Sequence, residues 1–150
     1  MANFKMAARS RVSNSRGFTL LELMIVVVIV AILAAIANAA YGFAVVKSRR
    51  ASAKGCVMEG SQYMERYYTT KLTYNDIITP QPPVLPGCSN DVTQFYAVSL
   101  SGVPDATTYT VQAVPIGAQL TADTKCGTLT INQTGTRTKS GTGTLAECWQ

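Results

Sequence analysis

The sequence predicts an α+β protein: one long N-terminal helix, with a transmembrane first half, packs its second half on a small antiparallel β-sheet. Three observations carry this. An apolar block runs from Phe18 to Ala37, a helical period continues to about Tyr68, and beyond Val92 the pattern changes to short alternating segments.

Residues 1 to 16 are polar, basic and Ser-rich, without apolar periodicity. The twenty residues from Phe18 to Ala37 are apolar apart from Thr19 and Glu22. As a helix they extend roughly 30 Å, a transmembrane length. A secretory signal peptide cut near Ala37-Asn38-Ala39 fits less well. Signal cores run to about 15 residues, and this block is longer and holds a carboxylate. The positive-inside rule alone does not orient a plain anchor, because bases stand on both sides of the block.

From Tyr41 to about Tyr68 there is no Pro. Phe43, Val46, Ala53, Val57, Gly60, Met64 and Tyr67 recur at spacings of three, four and seven, one face of a helix that another element must cover. Arg49, Arg50, Lys54 and Glu59 occupy the opposite side. The run Lys47, Arg49, Arg50 and Lys54 reads as a solvated or lipid-headgroup-facing surface, with local DNA contact as the alternative.

Lys71 to Asp91 holds Pro80, Pro82, Pro83, Pro86 and Gly87, the marks of a long connecting loop. Tyr96, Val98 and Leu100 then share one face. After a turn around Gly102 to Asp105, Tyr109, Val111 and Ala113 alternate with polar residues, as do Leu129 and Ile131 later. Three short antiparallel strands, or four, present one apolar face that matches the uncovered helix stripe. Internal repeats are not evident.

Charged residues make up only 14% of the chain, and small and hydroxyl side chains are plentiful, as in exported strand-rich modules. The net charge of +5 is mostly local: Lys5, Arg9, Arg11 and Arg16 precede Gly17, leaving nine bases against eight acids beyond it. No bulk electrostatic attraction to DNA follows. The chain has no His, no nucleophile motif and no phosphate-binding loop, so no catalytic role, cofactor or metal is indicated. The acids Asp76, Asp91, Asp105 and Asp123 are too scattered for a calcium loop. Cys56, Cys88, Cys126 and Cys148 include no close pair, which favours disulfides over zinc and an oxidising compartment for everything after the apolar block. That places the N-terminus inside.

The run Arg16-Gly17-Phe18-Thr19-Leu20-Leu21-Glu22-Leu23-Met24 resembles the type IV prepilin motif, and the residues through Tyr41 resemble its membrane helix. The resemblance implies cleavage between Gly17 and Phe18 by a prepilin peptidase, N-methylation of Phe18, and assembly of the apolar helix into a filament core. It divides the chain into a leader (1–17), a transmembrane and filament-core helix (18–40), an amphipathic continuation (41–70) and the loop and sheet (71–150). Unpaired in hydrocarbon, the Glu22 carboxylate costs roughly 2.5 to 3.5 kcal/mol at mid-membrane. No Lys or Arg lies within the block. The nearest available cation is a processed amino terminus at Phe18, which the family places on a neighbouring subunit, where pairing sets axial register. Glu22 snorkelling to the headgroups is the alternative.

At Asn38-Ala39 many members have an apolar residue and Pro, so one family kink is not expected. Asn38 reads as a helix-end residue in the headgroup zone. Cys126 and Cys148 bracket a segment similar to the disulfide-bounded C-terminal region of type IV pilins, which implies their pairing. That leaves Cys56 with Cys88 to staple the Pro-rich loop to the helix, or Cys56 as a buried thiol. Tyr109-Thr110-Val111, Cys126-Gly127 with its strand, and the terminal Cys148-Trp149 are similar to PilE-type minor pilins. Tyr63, Tyr67, Tyr68 and Trp149 read as core and lid rather than a binding platform.

The expected function is that of a minor pilus subunit for adhesion or twitching motility. It is held in the inner membrane before assembly and then in the surface filament. The implied partners are other pilins, the peptidase, an inner-membrane platform and an assembly ATPase. A major pilin, a type II secretion pseudopilin and a DNA-uptake pilin are the alternatives, the last through exposed bases such as Lys125, Arg137 and Lys139.

Overall fold

A computed structural model describes residues 17–75 and 82–150, apart from the Ala39 side chain. The leader segment 1–16, Asp76 and Pro80 lie outside the described residues. The chain divides into two units, Met1–Ala39 and Ala40–Gln150. Helix α1, Leu20–Lys71, has residues in both.

In the first unit Thr19 begins the helix, its carbonyl accepting from the Leu23 amide at 3.2 Å and its hydroxyl from the Glu22 amide at 3.2 Å. This is the capping expected of a hydroxyl residue just before a helix. Every residue from 17 to 38 is exposed, and the segment contains a stretch apolar and long enough to cross a membrane. A helix apolar all round is stable only in lipid or against other helices. Asn38 is not a helix end: the helix continues past it, and its amide donates to the Ala34 carbonyl at 3.2 Å. That bond shields the amide by local back-bonding.

In the second unit α1 lies against a four-stranded antiparallel sheet in the order β1-β2-β3-β4. The strands are β1 (Tyr96–Leu100), β2 (Thr110–Pro115), β3 (Leu129–Asn132) and β4 (Arg137–Lys139), so the fourth strand is present. Short helices α2 (Asn90–Thr93), α3 (Gly117–Ala122) and α4 (Leu145–Trp149) connect and close it. Tyr96 opposes Pro115, Val111 opposes Ile131, and Ile131 opposes Arg137. This register keeps Val111, Ala113, Leu129 and Ile131 on the buried face.

Ala53, Val57, Gly60 and Met64 supply the helix side of the core and are fully covered or nearly so. A Cβ on Gly60 would lie 3.3 Å from Val111 Cγ1, so glycine permits the sheet to approach the helix here. Phe43, assigned to the same stripe from its spacing, is instead 79% exposed. It precedes the part of α1 that the sheet covers.

Two disulfides tie the unit together, Cys56 to Cys88 and Cys126 to Cys148. They close 32 and 22 residues of sequence separation, worth about 3 to 4 kcal/mol each in the chain-entropy model. Near the end of α1 the Tyr74 and Tyr109 hydroxyls both donate to the Glu65 carboxylate, at 3.1 and 2.9 Å. Tyr74 stacks obliquely on Tyr68 with ring centroids 4.6 Å apart. Tyr63 and Tyr68 pack against the core and Trp149 is buried in it.

Candidate functional site

At the start of α1, Gly17 and Phe18 are exposed, Phe18 to 84%. Phe18, Glu22 and Val26 follow one another at helical spacing, so the carboxylate sits in an apolar row. Among the described residues no cation pairs with Glu22.

In the second unit the basic run is not the uniformly solvated surface its sequence suggests. Arg50 is only 13% exposed and makes a two-point contact with Asp123: Nε to Oδ2 and Nη2 to Oδ1, each 2.8 Å. Asp123, 1% exposed, also accepts from the Tyr96 hydroxyl at 2.6 Å. The Gln119 amide donates to the Tyr96 oxygen at 3.0 Å and to the Val46 carbonyl of α1 at 3.1 Å. Burial first, then the bond to Asp123, holds the Tyr96 phenol well above its ordinary value. Arg49 lies over the Phe95 ring, 3.6 Å from its centre. The reason for the difference is topological: α3 and the loop after it wrap back onto this side of α1.

Lys54 donates to the Gln150 carbonyl at 2.6 Å. Partial burial, followed by the charges of Arg50, Lys47 and Arg137, pulls its ammonium below the ordinary lysine value. Arg137 stands over Trp149, 5.2 Å from the ring centre, and the Trp149 indole donates to the Thr138 carbonyl at 2.9 Å. Lys125 is exposed on the loop between Asp123 and Cys126. Lys139 is half-buried and donates to the Gly141 carbonyl. Gly143 donates to the Lys125 carbonyl at 2.7 Å, and a Cβ on Gly141 would run into that same carbonyl. Thr144 caps α4, its amide and hydroxyl holding the Glu147 carboxyl below the usual range.

The strongest polar contacts, among Arg50, Asp123, Tyr96 and Gln119, were not visible in the sequence. Asp123 reads there as one scattered acid, Gln119 stands out in no pattern, and nothing in the spacing of either indicates Arg50. The described residues contain no group of three or more metal-ligating side chains, and Asp105 is engaged instead by the Thr108 hydroxyl.

The profile of a family described as type IV minor pilin ComP, DNA uptake sequence receptor, matches residues 39–130. The chain belongs to this minor pilin family. A second profile, the prokaryotic N-terminal methylation motif, matches residues 12–38 of the same pilin. Among solved structures, a type IV pilin from Shewanella oneidensis is 24% identical, with 61% of this chain and 89% of that one covered at a TM-score of 0.46. The Neisseria meningitidis non-core minor pilin PilV is 27% identical, with 66% and 90% covered at a TM-score of 0.45. No curated protein sequence matches the pilin significantly. The long N-terminal helix with a four-stranded antiparallel sheet is the type IV pilin fold, and the chain is a minor type IV pilin, a member of a structural family.

Proposed function

We propose that this minor pilin is made as a prepilin, cut between Gly17 and Phe18 on the cytoplasmic face by a prepilin peptidase, and methylated on the Phe18 amine. The observation that carries this reading is the methylation motif across residues 12–38. The processed helix waits in the inner membrane with its amino terminus inward and enters the filament through the platform and assembly ATPase. Glu22 pairs there with the amino terminus of a neighbouring subunit. A carboxylate in an apolar row, without a cation of its own, gains most from a partner where water is excluded. Glu22→Ala is expected to leave membrane insertion intact and to abolish incorporation into pili. Normal incorporation would overturn the pairing.

A second reading is favoured by the matched family's description as a DNA uptake sequence receptor. Arg137 is exposed and lies near Lys54 and Lys47, and Lys125 is exposed on the loop next to Asp123, all in the second unit. Such a cluster binds DNA through its phosphates despite a small net charge, because released counterions supply the free energy. Alanine at Lys125, Arg137 and Lys139 together should weaken salt-dependent binding of duplex DNA by the assembled filament. An unchanged affinity would remove the DNA reading.

A further inference from the structure

Of the bases on this face of α1, Arg50 is the one whose charge is already spent. Both oxygens of Asp123 are engaged by its guanidinium, and its remaining nitrogen, Nη1, donates to the Glu147 carbonyl at 3.3 Å. Asp123 lies three residues before Cys126 and Glu147 one before Cys148, and these two cysteines are bonded. Arg50 therefore clasps both arms of the disulfide-closed segment to the helix that carries Lys47 and Lys54. The segment brings Lys125 on one arm. The other arm, through Trp149 and its bond to Thr138, fixes the strand that carries Arg137.

We propose that Arg50 is a positioning residue: locked on Asp123, it assembles Lys47, Lys54, Lys125 and Arg137 into one cationic cluster for duplex DNA phosphates without touching DNA itself. This rests on the DNA reading above. The physical case is one of competition. A buried carboxylate with two short, aligned bonds outbids a solvated phosphate for the same guanidinium, whereas Lys47 and Lys125 face water and release counterions freely. Burial first, and then the neighbouring charges of Arg50, Lys47 and Arg137, lower the Lys54 ammonium, so these bases lie near one another.

The test uses the full processed chain in detergent and a duplex oligonucleotide, with affinity measured against salt by fluorescence anisotropy. Each phosphate contact contributes about 0.9 to the slope of log affinity against log salt. Lys54→Ala and Lys125→Ala should each lower the slope by about that amount. The double variant Arg50→Met with Asp123→Asn, which removes both charges of the lock, should bind about tenfold more weakly at every salt concentration, because the bases are no longer held together, yet keep the wild-type slope, because no phosphate contact is lost. An unchanged affinity in that variant, or a slope lower by about 0.9, would overturn the proposal.

Should the double variant misfold, arginine-selective dicarbonyl labelling of the wild-type chain decides. Arg50 is expected to react slowly with or without DNA, while DNA protects Arg137. Fast labelling of free Arg50 that DNA suppresses would overturn the lock alone. No salt-dependent binding by the wild-type chain would instead overturn the DNA reading.

Discussion

The guanidinium of Arg50 lies edge-on to the carboxylate of Asp123, 73 residues further along the chain, with two nitrogen-to-oxygen distances of 2.8 Å. It joins the second unit's helix to the segment after β2, where only a six-residue helix stands between two strands. A pair this covered is sensitive to losing one partner, since the other charge is then stranded away from water.

Arg50→Met alone should therefore cost about 3 to 5 kcal/mol of stability. Adding Asp123→Asn should recover most of it. Urea unfolding of the full chain in detergent checks both. Equal losses in the single and double variants would contradict a paired interaction.

Replacing Cys126 and Cys148 together by Ser should lower stability by about 3 kcal/mol through the freed denatured chain. The Cys56 and Cys88 pair should cost a similar amount. Thermal unfolding of the two double variants measures this, and a wild-type melting temperature in either would contradict the assigned bridges.

Gly141→Ala should destabilise by about 1 to 3 kcal/mol, because the new methyl meets the Lys125 carbonyl and the strap over that loop must shift. The same substitution at Gly135, where a Cβ meets nothing within 4 Å but the backbone has a φ of 73°, tests backbone strain alone. A smaller loss at Gly141 than at Gly135 would contradict the close approach.

Alkaline pH should unfold the second unit through its phenols. Burial, then the bond to Glu65, pushes Tyr74 up to about 12, and Tyr96 and Tyr109 are raised as well. A folded value above the unfolded one means the protonated form is the stabilised one. The contribution is thus complete below about pH 10 and is lost as pH rises through the folded values. Melting temperatures should be level from neutral pH to about 10 and then fall, less steeply in Tyr74→Phe. A melting temperature that stays level past pH 12 would contradict this.

The periodic parts of the fold were legible before any coordinates. The unbroken apolar block at 18–37 and the alternation at Val111, Ala113, Leu129 and Ile131 each have a single geometric solution, a lipid-length helix and a one-sided sheet. The fate of Arg50 was not legible, because helical spacing assigns it to a face without saying which later segment covers that face. Phe43 erred for the complementary reason: its spacing fits the stripe, yet the sheet does not reach that far along α1. The short helices α2, α3 and α4 escaped notice since four to six residues carry too little periodicity to register. The Gly17-Phe18 junction is proposed as the cleavage point from its motif, a row of residue types inside the methylation-motif match at 12–38.

Everything proposed about assembly depends on that junction. Filaments sheared from the cell surface, digested and analysed by mass spectrometry, test it most directly. The expected result is an N-terminal peptide of this chain that begins with N-methylated Phe18; a peptide that begins at Met1 or at Ala40 would contradict it.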